Sequence, residues 1–288
     1  MGILIYSVVV SITLLLTAIG FALVYGVSRL ANFAHGGLYI LTGYLVWGFL
    51  NKLGVNYIGA TILSLIIVAV VGATIYQFVL KRVRGMPESE IIASFSLALG
   101  IMEGLRSLGL VGFAYTIPVF VRGTVVVAGV PVDWQRLIII GVGLGVVAFL
   151  WVFTHYTKPG LALRAMAQDE RAAMMLGIDS DLMAVVCLAL GSALAAVAAI
   201  TILPLGNITV ETGYNVLIYA VAVCVIGGLG SWPGAVVAAF ILGFAQILTT
   251  AYLSPQWHMV VVLLAILLTF IVKPSGLLGR QKQLEERV

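Results

Sequence analysis

Residues 3–27 read ILIYSVVVSITLLLTAIGFALVYGV, a run without a charged side chain. The hydrocarbon core of a bilayer is about 30 Å thick, and a helix needs about 20 predominantly apolar residues to cross it. The run lacks the alternation of apolar and polar residues that is typical of a membrane β-strand. It also lacks a basic leading region and a small-residue cleavage pattern, which argues against a signal peptide. We therefore predict a membrane-crossing helix that is retained in the fold.

The rest of the chain has the same character. Of its 288 residues 62% are hydrophobic and 9% are charged, with a mean hydropathy of +1.18, whereas soluble domains carry about 25% charged residues. We predict an all-α polytopic membrane protein, a single domain over residues 1–288, with about eight transmembrane helices. The apolar runs are 4–27, 33–50, 57–80, 91–110, 136–154, 182–203, 214–230 and 234–272. An interruption near residues 252–257 makes the count eight or nine, and the short runs 33–50 and 214–230 are candidates for broken or re-entrant helices.

The basic residues predict the orientation. With these crossings one side collects eleven of the fifteen Lys and Arg residues, namely Arg29, Lys81, Arg82, Arg84, Lys158, Arg164, Arg171, Lys273, Arg280, Lys282 and Arg287. The other side receives Lys52, Arg122 and Arg136. Because Lys and Arg stay in the cytoplasm, we expect the N-terminus outside and the C-terminus inside. The net charge of +4 is thus explained by topology, and no nucleic-acid partner is expected.

Two connections are long enough to hold structure of their own. The external loop 111–136 is rich in Val, Thr and aromatic residues and punctuated by Gly and Pro, which favours a small strand pair. The internal loop 155–181 contains ALRAMAQDERAAMMLG and ends in Gly177, which predicts a short amphipathic helix on the cytoplasmic surface. Residues 273–288 form a cytoplasmic tail.

Two glycine-interrupted stretches in opposite halves of the chain are candidates for the translocation pathway. The first, NFAHGGLYILTG, contains Asn32, His35, Gly36 and Gly37, and the second, IGGLGSWPGAVVAAFILG, contains Gly227, Gly228 and Gly230. Such a pair of segments indicates an internal repeat with a pathway between its halves. The alternative is that the glycines serve close helix packing alone.

Ionisable residues inside a membrane segment are costly and are functional candidates by default. Glu103 and Arg106 lie three residues apart in one apolar run. They could bind the two charges of a zwitterionic amino acid, or they could form a structural ion pair near the end of the segment.

Motifs for enzyme chemistry are missing from the sequence. No lysine follows a glycine, so there is no phosphate-binding P-loop. Cys187 and Cys224 lie in apolar runs without metal-ligand spacing. We expect no enzyme activity and no cofactor or metal in this chain.

Four stretches carry a family resemblance: LANFAHGGLYILTGY, GLALRAMAQDERAAMMLGID, GGLGSWPGAVVAAFILG and KPSGLLG. In this order they resemble the H-type permease of branched-chain amino acid (LIV-type) ABC importers. The resemblance implies a heterodimer with a second, M-type permease, two ATP-binding subunits that hold ATP and Mg, and an external substrate-binding protein. It also implies a bacterial or archaeal cytoplasmic membrane, with loop 155–181 docked on an ATPase. The residues that match the coupling loop are Arg164, Ala165, Asp169, Ala172, Ala173 and Gly177.

Three alternatives remain open at this point. Permeases of the same family also transport urea, short amides or aromatic acids. An ion-coupled secondary transporter would use buried acidic residues, of which Glu103 is a candidate carrier. A passive channel would conduct a small neutral solute without partner proteins.

Overall fold

The computed structural model describes residues 1–110 and 115–279. Residues 111–114 of the predicted external loop and residues 280–288 of the predicted tail lie outside the described part, the latter with Arg280, Lys282 and Arg287. Most described residues are helical. The helices are α1 (Gly2–Ser28), α2 (His35–Asn51), α3 (Tyr57–Ile75), α4 (Lys81–Val83), α5 (Pro87–Ser107), α6 (Trp134–Tyr156), α7 (Lys158–Gln168), α8 (Glu170–Met175), α9 (Ser180–Ile202), α10 (Val210–Gly227), α11 (Trp232–Tyr252) and α12 (His258–Val272). A π-helical turn (Tyr76–Leu80) joins α3 to α4, and 3₁₀ turns occupy Leu203–Leu205 and Pro255–Trp257.

Among the described residues, seven helical segments are long and apolar enough to cross a membrane. They are Gly2–Ser28, Tyr57–Val83, Trp134–Tyr156, Ser180–Leu205, Val210–Gly227, Trp232–Tyr252 and Pro255–Val272. Two further helices have nearly that character. Helix α2 has 17 residues, and α5 is long enough but carries Glu88, Glu90, Glu103 and Arg106. The predicted all-α polytopic class is confirmed, and the predicted break near residues 252–257 separates α11 from α12.

Helix α1 lies at the centre of the bundle. Within its most apolar stretch of 18 residues, 83% of the residues are buried. It packs against α6, α9, α10 and α11. Small residues allow these close contacts, since a Cβ atom on Gly20 would lie 2.6 Å from the carbonyl oxygen of Gly191. Helix α12 is the opposite case, because only 6% of the residues in the stretch Pro255–Val272 are buried. Its outward side chains are therefore those that a lipid would contact.

The bundle has two distinguishable ends. At one end Tyr6 donates a hydrogen bond to the Pro131 carbonyl oxygen at 3.0 Å, and Gln135 donates to the Thr201 carbonyl oxygen at 2.8 Å. We call this end the hairpin face. At the other end Arg29 and Arg164 of α7 line the same cavity, and we call this end the basic face.

The hairpin face takes its name from a two-stranded antiparallel sheet. Strand β1 (Thr124–Val127) pairs with β2 (Val130–Asp133) through a turn at Ala128 and Gly129. The predicted strand pair is confirmed. The Arg136 guanidinium lies 4.9 Å from the centre of the Tyr6 ring, which fixes the sheet to the start of α1.

The connection between α1 and α2 is a break inside the bundle. Arg29 takes a left-handed conformation with φ 54° and ends α1. The chain then returns inward, because His35 at the start of α2 lies 2.8 Å from the carbonyl oxygen of Thr17. The backbone of this non-helical stretch lacks helical hydrogen bonds. Ser94 of α5 supplies two of them, because it accepts from the Phe33 amide and donates to the Ala31 carbonyl oxygen. The predicted breaks within the short runs are absent, because residues 35–50 lie in the continuous helix α2 and residues 214–227 in the continuous helix α10; the break lies before α2.

Candidate functional site

The loop between α6 and α9 forms the most distinctive surface of the basic face. A single amphipathic helix is predicted here, but the structure has two, α7 and α8. Asp169 separates them with an extended backbone (φ −154°, ψ 106°), and its Oδ1 accepts a hydrogen bond from the Ala172 amide at 3.0 Å. Asp169 is thus the N-cap of α8, and the cap is the reason that the helix is interrupted.

The end of α8 is a complete Schellman motif. Gly177 has φ +85°, its amide donates to the Met174 carbonyl oxygen at 2.9 Å, and the Ile178 amide donates to the Ala173 carbonyl oxygen at 3.2 Å. This pattern requires a left-handed residue after the helix, which glycine adopts without cost. Gly177 therefore ends the helix, as the sequence predicts.

Helix α8 presents apolar side chains to solvent. Ala173 is buried against the bundle, while Met174 is half-exposed and Met175 and Leu176 are 89% and 81% exposed. We call Met174, Met175 and Leu176 the apolar tip. Large apolar side chains that are exposed together outside the membrane region are typical of a protein-binding surface.

The residues predicted for ATPase coupling all lie in this loop, but their environments differ. Ala172 is exposed beside the apolar tip, next to Arg171, which was not among the predicted residues. Ala165 is partly buried and packs against the core. Arg164 lines a cavity of about 550 Å³ together with Arg29, and the other residues at this cavity include Gln168, Ser231, Trp232 and Gly279.

An ion network anchors the loop to the rest of the protein. The Arg84 guanidinium donates to Glu170 of α8, to Asp181 Oδ1 at 2.8 Å and to Ser180 Oγ at 2.6 Å at the start of α9. It also donates to the Tyr76 hydroxyl oxygen at 2.9 Å. The Arg84 side chain is 20% exposed, so solvent screens these bonds less than those of a fully exposed pair.

Sequence reasoning missed this network. The charge pattern identifies Arg84 only as a basic residue of one membrane side, and no motif points to Tyr76, Ser180 or Asp181. Arg84 and Asp181 are 97 positions apart in the chain. Only the packing of α3 against α9 brings them together.

The first set of pathway candidates is buried within the bundle. The Asn32 side chain accepts a hydrogen bond from the Ala34 amide at 3.2 Å, and His35 contacts Thr17 as described. A Cβ atom on Gly36 would lie 2.4 Å from the Gly213 carbonyl oxygen, and one on Gly37 would lie 3.2 Å from the Ala98 Cα. These contacts agree with close packing, and a role in the pathway stays a prediction.

The second set lies at the basic face. Gly228 and Gly230 have φ values of +101° and +85° in the turn between α10 and α11. A Cβ atom on Gly227 would lie 2.4 Å from the Gly234 carbonyl carbon, and one on Gly228 would lie 2.4 Å from the Gly279 amide nitrogen. The turn therefore packs tightly against residues 273–279.

Glu103 and Arg106 lie near the end of α5 at the hairpin face. Arg106 Nη1 is 3.4 Å from Glu103 Oε1, and Nη2 is 3.5 Å from Glu211 Oε1 on α10. The structure thus adds a third charged group to the predicted pair. All three side chains are largely exposed, and exposed pairs of this kind contribute about 0–1 kcal/mol.

The exposed residues of α5 change from apolar to polar along the helix, since Ile91, Ile92 and Phe95 are exposed in its first half. Between positions 96 and 107 every exposed residue of α5 is polar, charged or glycine: Ser96, Gly100, Glu103, Gly104, Arg106 and Ser107. The exposed residues of α12 are all apolar, among them Leu263, Leu264, Leu267 and Leu268. We call residues 96–107 of α5 the polar face.

Within residues 1–110 and 115–279 no three His, Cys, Asp or Glu side chains form a group that could hold a metal ion. Cys187 and Cys224 are both buried as free thiols. Their Sγ atoms lie 3.7 Å from the Leu23 carbonyl oxygen and 3.8 Å from the Ala18 carbonyl oxygen of α1.

Comparison with known proteins adds a family to this geometry. Residues 3–270 match the family described as branched-chain amino acid transport system, permease component. The chain is 31% identical to the high-affinity branched-chain amino acid transport system permease protein LivH of Salmonella typhimurium, over 93% of this chain and 92% of that protein. It is 28% identical to the corresponding protein BraD of Pseudomonas aeruginosa, over 96% and 95%. The solved structure of PsaBC from Streptococcus pneumoniae in complex with Fab aligns with a TM-score of 0.54 and 13% identity, over 99% of this chain and 96% of that chain, which shows a similar fold.

Proposed function

This chain belongs to the family of branched-chain amino acid transport permeases, and from that membership we propose that it forms one half of the translocation pathway of an ATP-driven importer. The resemblance that the four sequence stretches carry is confirmed by the match over residues 3–270. The substrate is a branched-chain amino acid, as in the names of its relatives. The finer assignments below are our proposals.

The apolar tip of α8 is the observation that carries the proposed coupling to an ATPase. Met175 and Leu176 are 89% and 81% exposed, on a helix capped at both ends by Asp169 and by the Gly177 motif. A short rigid helix with an apolar end fits a groove on another protein. The partner would cover the apolar tip, and removing these side chains from water would stabilise the complex.

Loop 155–181 then faces the cytoplasm, where ATP is present. The prevalence of Lys and Arg on the basic face supports this orientation, with the N-terminus and the hairpin face outside. The protein would lie in a bacterial or archaeal cytoplasmic membrane. ATP and Mg belong to two partner ATPase subunits, and this chain contributes no cofactor.

The polar face of α5 supports the position of a second permease. A membrane helix that presents Ser96, Gly100 and Glu103 to lipid would be costly, because polar groups find no hydrogen-bond partners in hydrocarbon. The cost disappears if residues 96–107 face a partner permease across a water-filled pathway. We therefore propose that an M-type permease packs on the side of α5, with the apolar side of α12 toward lipid.

The hairpin face would receive the external substrate-binding protein. Arg106 lies between Glu103 and Glu211 at the outer end of the polar face. A zwitterionic amino acid needs partners of both signs, and these three side chains supply them at the entrance of the proposed pathway.

The test is to purify the permease pair with its ATPases, reconstitute them in liposomes, and add binding protein loaded with one ligand at a time. Leucine, isoleucine or valine is expected to stimulate ATP hydrolysis and to enter the vesicles. Stimulation by urea or an aromatic acid alone would overturn the substrate assignment. Uptake that continues without the ATPases and collapses with an uncoupler would overturn the ATP-driven mechanism.

A further inference from the structure

Arg84 lies at the point where three parts of the basic face meet. It follows α4 in the short connection that leads to α5. Its guanidinium bonds α8 through Glu170 and the start of α9 through Ser180 and Asp181. One side chain therefore joins the loop with the apolar tip to the connection before α5.

The connection is itself tied to α5. The Gly85 amide, next to Arg84, donates to Glu90 Oε1 at 2.7 Å. Glu90 lies in the first turn of α5 and is buried. A displacement of Glu170 would thus reach α5 through Arg84, one peptide unit and Glu90.

A second ion pair, Lys81 Nζ to Asp181 Oδ2 at 2.9 Å, joins α4 to α9, but Glu170 of α8 pairs with Arg84. The main packing partners of α8 are α7 and α9, whereas those of α5 are α2, α10 and the π-helical turn. That turn, Tyr76–Leu80, lies beside the network through Tyr76. Single π-helical turns inside longer helices are frequent at functional sites, since the extra residue weakens the regular hydrogen bonding.

We propose that Arg84 is a positioning residue that passes the movement of loop 155–181 to the polar face of α5. The inference rests on the proposed function, because it needs an ATPase that moves α8. Arginine suits the role, since its planar guanidinium bonds several acceptors at once in fixed directions. A lysine would supply one charged point and could not hold Glu170 and Asp181 together with the same geometry.

The first test compares Arg84→Gln with Arg82→Gln in the reconstituted complex. Both variants remove one positive charge from residues 81–86, but Arg82 lies in α4, is exposed and is outside the network. Arg84→Gln is expected to keep basal ATP hydrolysis and to lower the substrate taken up per ATP about five- to tenfold, the range of a modest coupling energy. Arg84→Lys should restore part of the loss, and Arg82→Gln should match the unmodified complex. Equal uptake per ATP in Arg84→Gln and Arg82→Gln would overturn the proposal.

A second measurement follows α5 directly. Ser96→Cys places a thiol on the polar face, and Cys187 and Cys224 are buried, so a membrane-impermeant thiol reagent should report on the new residue. ATP is expected to change the labelling rate at position 96 in the otherwise unmodified complex but not with Arg84→Gln. An ATP-dependent change that persists in Arg84→Gln would overturn the proposal.

If Arg84→Gln does not assemble, Glu170→Ala takes its place, because it removes the acceptor that Arg84 bonds on α8 without changing the connection before α5. It is expected to lower uptake per ATP in the same way, and unchanged coupling would contradict the role of Arg84. Failure of the proposed function gives a different result. In that case the unmodified complex itself shows no ATP-driven uptake.

Discussion

The Nε2 atom of His35 lies 2.8 Å from the carbonyl oxygen of Thr17, so the first residue of α2 is fixed to the middle of α1. Phe21 packs edge-on against the same ring, with 6.2 Å between the ring centres. This contact holds the chain in place where the backbone between α1 and α2 is not helical. The buried imidazole therefore stabilises the break inside the bundle together with Ser94.

His35→Ala is expected to lower the free energy of unfolding by about 1–2 kcal/mol. Hydrogen bonds between membrane helices contribute about 0.6–1.7 kcal/mol, and the removed ring leaves a cavity. Thermal stability of the purified permease in detergent would measure the change. His155→Ala is the matched control, since His155 bonds within its own helix to the Trp151 carbonyl oxygen. Equal stability of the two variants would contradict a structural role for His35.

The contact between α2 and α10 gives a second prediction. A Cβ atom on Gly36 would lie 2.4 Å from the Gly213 carbonyl oxygen and 3.1 Å from the Leu217 Cβ. Because backbone cannot move aside as a side chain does, Gly36→Ala should separate the two helices and cost about 1–3 kcal/mol. The yield of folded protein in membranes and its melting temperature would both fall.

Gly145→Ala on α6 is the control for this change. Nothing lies within 4 Å of a Cβ atom at Gly145, and alanine favours a helix over glycine by up to about 1 kcal/mol. Its stability should be equal to or higher than that of the unmodified protein. A similar loss in Gly36→Ala and Gly145→Ala would mean that the close approach of α2 and α10 is not what limits stability.

These two sites show what the sequence encodes and what it does not. Apolar runs predict which segments leave water, so the long helices and the break near residues 252–257 followed from composition. The pair Gly36 and Gly37 indicated close packing, but it could not name Gly213 or Ala98 as the partners. Partner identity depends on how distant segments fold together, and no local pattern carries that information.

At the basic face, too, the sequence predicts local backbone features but not contacts between distant residues. Gly177 was predicted as a helix stop because the left-handed conformation is a local property of the backbone. The interruption at Asp169 was missed, since an Asp within an alanine-rich run fits both a helix interior and an N-cap. The bonds of Arg84 to Glu170 and Asp181 span 86 and 97 positions. Charge counting alone could place them on one side of the membrane but not in contact.

Gly177→Val is expected to uncouple transport from ATP hydrolysis. At φ +85° a β-branched residue is strained by about 1–2 kcal/mol, so the last turn of α8 should unwind and the apolar tip should lose its fixed direction. Uptake in vesicles should fall several-fold while basal ATP hydrolysis continues. Gly177→Asn should retain most of the uptake, because asparagine tolerates the left-handed region. Full uptake in Gly177→Val would indicate that the loop is only a connector.

Met175→Glu tests the docking surface itself. The side chain is 89% exposed, so the change should leave the stability of the isolated permease within about 0.5 kcal/mol. If an ATPase groove covers the apolar tip, the change should weaken the association about tenfold or more, since an unpaired carboxylate is costly to bury in an apolar groove. Co-purification of the tagged permease with the ATPase subunits measures the loss. Val126→Glu introduces the same charge at an exposed position of β1 on the hairpin face and should not affect co-purification. Equal recovery of the ATPases with both variants would place their binding site elsewhere on the basic face.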